Sequence, residues 1–397
     1  MNLWRICKLE LHQIFIKDRR RAIFLFGASL AYLLLFGLLY STHVLKEVPL
    51  VIYDEDQTQF SRSLIQAFDD CEKFKIIGYV ASEEEMENDL RQKNAYAAIH
   101  IPNNFNKNAK LLASSPVLLI ADGSNILITN TVTTAAQEII ATFAKGTGVK
   151  LSEAAGQLPA LARHKIDPVH FRLRVLNNPT QSYLYFFAIG LALAAFQQGV
   201  FLSAGASLLA YPNPSHLKRT NILIAEAGKL LPYWTLGTLA FLLTLFASVS
   251  LFSIPCKAAM TSFLLLSAAF IYAAIGISAL IASLCNNELY FTRVSIAYTV
   301  PAFVLSGYTW PQQSMDTFSQ FLSYTFPLSY FSSTIRELML AGYSPSLYLN
   351  SFILLLMGTT FLGIAAFIFK RRLKLRFARN HHRTSTSNYP NNVMTQK

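Results

Sequence analysis

The sequence predicts an α-helical polytopic membrane protein with six transmembrane helices and an α/β domain inserted after the first. Three observations predict it. Hydrophobic residues make up 53% of the 397 and charged residues only 14%, where a soluble domain carries about a quarter charged. The formal charge of +12 sits at the two ends of the chain. Arg5, Lys8, Lys17, Arg19, Arg20 and Arg21 precede the first apolar run. Lys370, Arg371, Arg372, Lys374, Arg376, Arg379, Arg383 and Lys397 follow the last, and only Glu10 and Asp18 oppose them. The third observation is that residues 41–182 interrupt the apolar pattern, with fourteen Lys/Arg against sixteen Asp/Glu. Basic clusters that flank apolar runs obey the positive-inside rule. The lipid bilayer, not nucleic acid, is the partner they imply.

Residues 1–21 read as a cytoplasmic amphipathic helix at the membrane interface. Trp4, Cys7, Leu11, Ile14 and Phe15 recur at helical spacing, while Arg5, Lys8, Glu10 and His12 fall elsewhere. Residues 22–40 form the first span. The run is long and lacks a small-residue cleavage site, so it reads as an uncleaved signal-anchor with a cytoplasmic start. Residues 41–182 are then extracytoplasmic. Strand-like runs at 48–53, 73–80, 95–101 and 117–121 alternate with helical patterns at 58–70 and 125–145 and a helix opened by a Ser82–Glu85 capping box. Such alternation predicts a mainly parallel sheet. Residues 147–178 are a looser connector.

Residues 183–369 carry the remaining spans. Tyr183–Ala210 holds Gln197 and Gln198 mid-span, and these amides suit either a substrate or a neighbouring helix. A polar loop at 211–229 leads into Leu230–Phe252, a tight turn into Ala258–Leu284, and the last span is Leu349–Phe369. Glu226 in the loop either docks a cytosolic partner or is an exposed charge. The fifth span is interrupted. Val294–Leu305 is apolar, and the chain then turns at Ser306-Gly307 and becomes aromatic and proline-bearing through Trp310, Pro311, Pro327 and Tyr330. Non-helical backbone at membrane depth is tolerated only where protein or a water-filled cavity covers it. Residues 306–342 therefore read as a re-entrant or external segment. Arg336 and Glu337 belong near the outer interface. Residues 370–397 form a basic cytoplasmic tail, polar and disordered from Asn380.

Several chemistries are excluded. The chain has no P-loop, no H-E-x-x-H and no G-x-S-x-G motif. The predicted spans hold no acidic pair and no His or Lys, where a secondary pump keeps ionisable groups inside the bilayer. Energy must come from a partner. Cys7, Cys71, Cys256 and Cys285 have no metal or disulfide spacing. Asp54-Glu55-Asp56 at a strand end could hold a cation, but such turns also start helices, and no metal site is expected.

Three passages carry a family resemblance. The inserted domain reads VPLVIYDEDQTQFSRSLIQAF (Val48–Phe68), AYAAIHIPNNF (Ala95–Phe105) and LLIADGSN (Leu118–Asn125). The loop into the third span reads GKLLPY (Gly228–Tyr233). The fifth-span region reads LSGYTWPQQSM, then TFPLSYFSSTIRELMLAG (Thr325–Gly342). In this order they resemble the permease subunits of type-2 ABC exporters, the drug-efflux-like branch with a large extracytoplasmic domain after the first span. The likeness covers nearly the whole chain.

The resemblance implies that fold, and outward transport of an amphipathic or hydrophobic, drug- or lipid-like substrate. A separate cytosolic ATPase would use ATP and Mg; this chain would bind no cofactor and catalyse nothing. It implies a second permease, either a copy or a homologue, and brings a periplasmic adaptor and an outer-membrane channel into view. It puts Gln197, Gln198, Tyr298, Thr299 and Ser306 on the substrate pathway. Gly307, Trp310, Pro311, Pro327 and Tyr330 fall at an external gate. Trp4, Leu11, Lys218, Arg219 and Glu226 fall at the ATPase-coupling surface. One departure stands out. The family's Glu-Arg-Glu-x-Gly-Thr run is replaced by Pro212 to Thr220 (PNPSHLKRT), so homodimer and heterodimer both stay open. The competing reading is a non-transporting envelope receptor or assembly platform; a membrane-embedded enzyme comes third. The expected home is the inner or plasma membrane, with both termini cytoplasmic.

Overall fold

The computed structural model describes residues 3–41, 44–111, 113, 115–154, 175–179, 182–210 and 222–386. The chain forms two compact units, residues 44–174 and the rest. The larger unit opens with α1 (Leu3–His12), a π-helical turn at Gln13–Lys17, and α2 (Arg19–Leu39). The chain breaks at Asp18, whose carboxylate accepts hydrogen bonds from Arg20 Nε at 2.9 Å and Arg21 Nε at 3.2 Å. These bonds, the Arg20 guanidinium first, hold the Asp18 carboxyl below its usual range.

The smaller unit is built on a four-stranded sheet. β1 (Val48–Asp54) lies between β2 (Phe74–Tyr79) and β3 (Ala97–Ile101), parallel to both, and β4 (Leu118–Ala121) pairs antiparallel with β3. Both faces are covered, so β1 reads as an almost continuous apolar run. Leu50, Ile52, Ile99 and Ile101 pack on Leu64 and Phe68 of α3 (Gln59–Asp69) and on Val132 and Ala136. Val51 and Ala98 on the other face meet Met86 of α4 (Glu83–Arg91). α5 (Phe105–Lys110) follows β3, and α6 is Ile126–Ala154, which carries Val132 and Ala136. The helix is thus longer than the pattern ending at Lys145 predicted. The Ser82 cap accepts the Glu85 N–H, but Glu85 turns its own carboxylate to the Ala81 N–H, one residue beyond a reciprocal box. The reciprocal box lies instead at Thr58 and Ser61. The strand-end acids are used locally. Asp54 Oδ1 accepts from the Asp56 and Gln57 N–H groups, and Asp56 Oδ2 accepts from Thr58 and the Asn106 N–H.

Among the described residues, five helices of the larger unit are long and apolar enough to cross a membrane: α2, α7 (Leu184–Leu209), α8 (Ile222–Phe252), α9 (Met260–Leu284) and α13 (Leu347–Thr386). The predicted fifth span is the exception. It is α10 (Glu288–Val304), 17 residues with Pro301 inside, or about 26 Å at a helical rise against a hydrocarbon core of roughly 30 Å. Two shorter helices follow, α11 (Thr317–Ser323) and α12 (Pro327–Leu340). α9 is the most buried of the five long helices.

Four buried rings knit α7, α8, α9 and α12 together. Phe270 stacks on Phe331 with centroids 4.1 Å apart, and Phe241 meets Phe331 at 5.7 Å and Phe196 at 6.0 Å. Aromatic pairs of this kind contribute beyond their buried area, by about 0.5–1.5 kcal/mol each. They make α12 part of the helical core. The outward faces of α2 and α13 stay apolar and exposed, with Leu35, Leu38, Phe352 and Phe367 among them, which suits lipid contact.

Two expectations shift. α8 starts at Ile222, so Glu226 is helical and not in a loop. The tail after Asn380, expected to be disordered, is helical as far as Thr386. Most of the connector at 147–178, and the coupling-loop residues 211–221, lie outside the described residues.

Candidate functional site

The N-terminal helix is fixed to the spans by buried charge. Glu10 and Arg21 are 6% and 5% exposed. Arg21 Nη1 donates to Glu10 Oε1 at 3.0 Å and to the Tyr233 hydroxyl at 3.2 Å. The same carboxylate oxygen accepts from Tyr233 at 2.9 Å and from Ser207 Oγ at 2.7 Å. Lys229 Nζ donates to the Ser207 carbonyl at 2.7 Å, and Ser203 Oγ to the Arg21 carbonyl at 2.8 Å. A buried ion pair holds only when further hydrogen bonds satisfy its atoms, and here α1, α2, α7 and α8 supply them together. Gly228 makes the approach possible, since a Cβ there would lie 2.8 Å from Ile6 Cβ.

This geometry corrects the predicted apolar face of the N-terminal helix. Ile6, Cys7, Glu10 and Ile14 are buried, while Trp4 is 67% exposed with Lys8 over its ring, and Phe15 is exposed. The π turn at Gln13–Lys17 adds a residue per turn and shifts the register beyond it. Leu11 is half-buried. Lys218 and Arg219 lie outside the described residues. Glu226 is buried in α8, and its Oε1 has no partner among the described residues. Lys229 also sits within the apolar stretch of α8, contrary to the expectation of spans without lysine.

A second polar seam joins α7 to α10. Thr299 donates its hydroxyl to Gln198 Oε1. Tyr298 stacks on Phe201 at 5.4 Å and meets Phe326 at 5.0 Å. Gln197 is buried with neither amide atom partnered among the described residues, and the Tyr298 hydroxyl and Ser295 Oγ are likewise without partners. Unpaired buried polar atoms cost about 1–3 kcal/mol each, so this seam weakens the packing it sits in. Of the pathway residues predicted from sequence, Gln198, Tyr298 and Thr299 come together here.

Ser306 lies at the far end of α10, where the chain folds back. Gly307 has φ of +88°, a left-handed turn that glycine adopts without strain. Trp310 and Pro311 are exposed, and Trp310 Nε1 donates to the Ser314 carbonyl at 2.9 Å. Pro327 opens α12 at the first helical position, where a missing N–H costs nothing. One face of α12 then satisfies the carbonyls that end α10: Ser329 donates to Leu305, Ser332 to Ser306 and Arg336 to Gly307. The Arg336 guanidinium also lies over the rings of Phe186 and Tyr308, at 5.3 and 5.4 Å. Tyr330 donates to the Tyr324 carbonyl at 3.0 Å.

The sequence is similar to those of known proteins. The chain is 23% identical over 380 residues to a protein of Escherichia coli K12 named "Probable multidrug ABC transporter permease YbhR", covering 94% of this chain and 98% of that one. It is 31% identical over 161 residues to "Probable multidrug ABC transporter permease YbhS" of the same strain, covering 40% of this chain and 42% of that one. Residues 20–367 match the family model described as ABC-2 family transporter protein. With that match spanning most of its length, the chain belongs to the ABC-2 family of transporter proteins.

Proposed function

We propose that the chain is the membrane subunit of an ATP-driven exporter for amphipathic or hydrophobic molecules. A separate cytosolic ATPase supplies the energy, with its own ATP and Mg. The observation that carries this reading is the buried Glu10–Arg21–Tyr233 cluster. A push on α1 from the cytosol reaches α2, α7 and α8 through bonds that cannot stretch without exposing unpaired charge. Such a contact converts ATPase closure into a shift between two states of the spans. The chain supplies no P-loop of its own.

In this reading α10 and α12 together act as the fifth of six spans, α12 re-entering from the outer side. Both termini are cytoplasmic, and residues 41–182 lie outside an inner or plasma membrane. The seam of Gln197, Gln198, Tyr298 and Thr299 lines the pathway, and the turn from Ser306 through Pro311 to Pro327 is its outer gate. A second permease covers the exposed apolar stripe of Ile296, Val300 and Val304 on α10. The names of the E. coli relatives support a drug-like substrate. Co-expression with a cytosolic ABC ATPase from the same genome, followed by affinity purification, tests the partnership. A stoichiometric complex that Glu10→Leu weakens supports the reading; purification of the chain free of any ATPase overturns it.

A further inference from the structure

Among the described residues, Glu226 is the one charged group lining a groove that the proposed pathway does not use. The groove lies between α8, α9 and α13, and its volume is about 560 Å³. Drug-sized sites occupy roughly 300–1,000 Å³. Its walls are apolar and aromatic: Leu230 and Trp234 from α8, Tyr272 and Ile275 from α9, Leu362 and Gly363 from α13. Trp234 is pinned by its Nε1 donating to the Ala268 carbonyl at 2.9 Å, so its ring is a fixed wall. Gly363 is exposed on α13, so the groove opens at the outer surface of the helical bundle.

The carboxylate is the anomaly. Glu226 is 6% exposed and its Oε1 has no hydrogen-bond partner among the described residues. Lys229, one turn along α8, directs its ammonium to the Ser207 carbonyl, and Arg21 is bonded to Glu10, Asp18 and Tyr233. Burying a carboxylate without a counter-charge is costly. An ionisable side chain facing an intramembrane cavity marks a site in need of a partner. Charge complementarity defines that partner: an apolar body to fill the groove and a positive centre to meet Glu226, with the ring faces of Trp234 and Tyr272 favouring a cation.

We propose that this groove is a lateral intake site for amphiphilic organic cations, which enter it from the bilayer and place their positive centre against Glu226. The word intake rests on the permease reading; the binding itself does not. The site is lined by residues 226–234 of α8, 272–275 of α9 and 359–363 of α13, none of which belongs to the α7–α10 seam.

The test uses the full chain in lipid nanodiscs without ATPase, and radiolabelled tetraphenylphosphonium as probe. Saturable, displaceable binding is expected, and tetraphenylborate, of like shape and opposite charge, should not compete. Glu226→Gln should weaken binding at least about thirtyfold, the effect of removing one partner of a buried charge pair. Gly363→Phe is the second variant. A Cβ at Gly363, which lines the groove, meets nothing within 4 Å, so a side chain is accommodated there without forcing the helices apart, and a ring at the groove's edge should block binding while the protein stays folded. Binding that survives both variants, or that tetraphenylborate matches, overturns the proposal. So does a wild-type chain that binds no probe while retaining a zwitterionic lipid in the groove. Binding as expected in a chain that shows no ATP-driven transport sustains this proposal and overturns the permease reading instead.

Discussion

Replacing Glu10 with leucine should release the N-terminal helix from the spans. Glu10 Oε1 accepts three hydrogen bonds, from Arg21 at 3.0 Å, Tyr233 at 2.9 Å and Ser207 at 2.7 Å. Both charged side chains are almost fully buried, at 7% and 6% exposure. Removing Glu10 leaves Arg21 with Asp18 as its remaining counter-charge, at 3.2 Å, and breaking a buried pair costs up to about 3–5 kcal/mol. Each 1.36 kcal/mol is a factor of ten, so about 3 kcal/mol raises the open population of α1 by roughly a hundredfold. Hydrogen exchange of the amides in residues 3–17, measured in nanodiscs, reads that population directly. The Glu10→Leu/Arg21→Met double variant removes both charges and replaces them with apolar bulk, which is often neutral or stabilising. It should recover at least about 2 kcal/mol of the loss, a coupling typical of directly bonded residues. Unchanged exchange in Glu10→Leu would refute the buried-pair argument. So would a double variant that exchanges as fast as the sum of its singles.

Three further outcomes are expected. Gln197→Leu should raise the thermal midpoint, because it removes two unpartnered buried atoms worth about 1–3 kcal/mol, and should lower transport; a lower midpoint with transport intact contradicts a pathway role. Gly307→Val should destabilise the fold-back by about 1–2 kcal/mol or more, read as faster proteolysis between α10 and α12, since φ of +88° suits no β-branched residue. Asp18 has a folded pKa below its unfolded value, so its contribution is present above the unfolded pKa and is lost as pH falls through the folded one. Acidification should therefore loosen α1, and Asp18→Asn should abolish that acid sensitivity in the same exchange assay.

The apolar runs made the spans legible because a bilayer demands length and hydrophobicity from each helix separately. The α/β unit was legible for a similar local reason: strands 48–53 and 95–101 are short apolar runs between turn signals. The coupling cluster was not legible. Glu10 looks like a solvated residue on an amphipathic helix, and its partners Ser207 and Tyr233 are about two hundred residues away in sequence. Glu226 was misplaced because Pro212 and Pro214 suggested a longer loop; the run Ile222-Leu223-Ile224-Ala225 was the signal for an earlier helix start. The fold-back of α12 left a pattern that could have been found. Ser329, Ser332 and Arg336 recur three and four residues apart, donors on one face of a helix, aimed at the carbonyls of a neighbour that ends early.

The central proposal joins the α7–α10 seam and the buried Glu10–Arg21 cluster in one account, in which ATP use by a partner moves a substrate through these helices. The direct measurement is uptake of a fluorescent amphipathic substrate into sealed inside-out proteoliposomes holding the chain, its companion permease and the ATPase. ATP should drive accumulation that a non-hydrolysable analogue does not, and Gln197→Leu should reduce it with ATPase activity intact. Accumulation that is the same with and without ATP, in vesicles where the ATPase is bound and active, would contradict an export role.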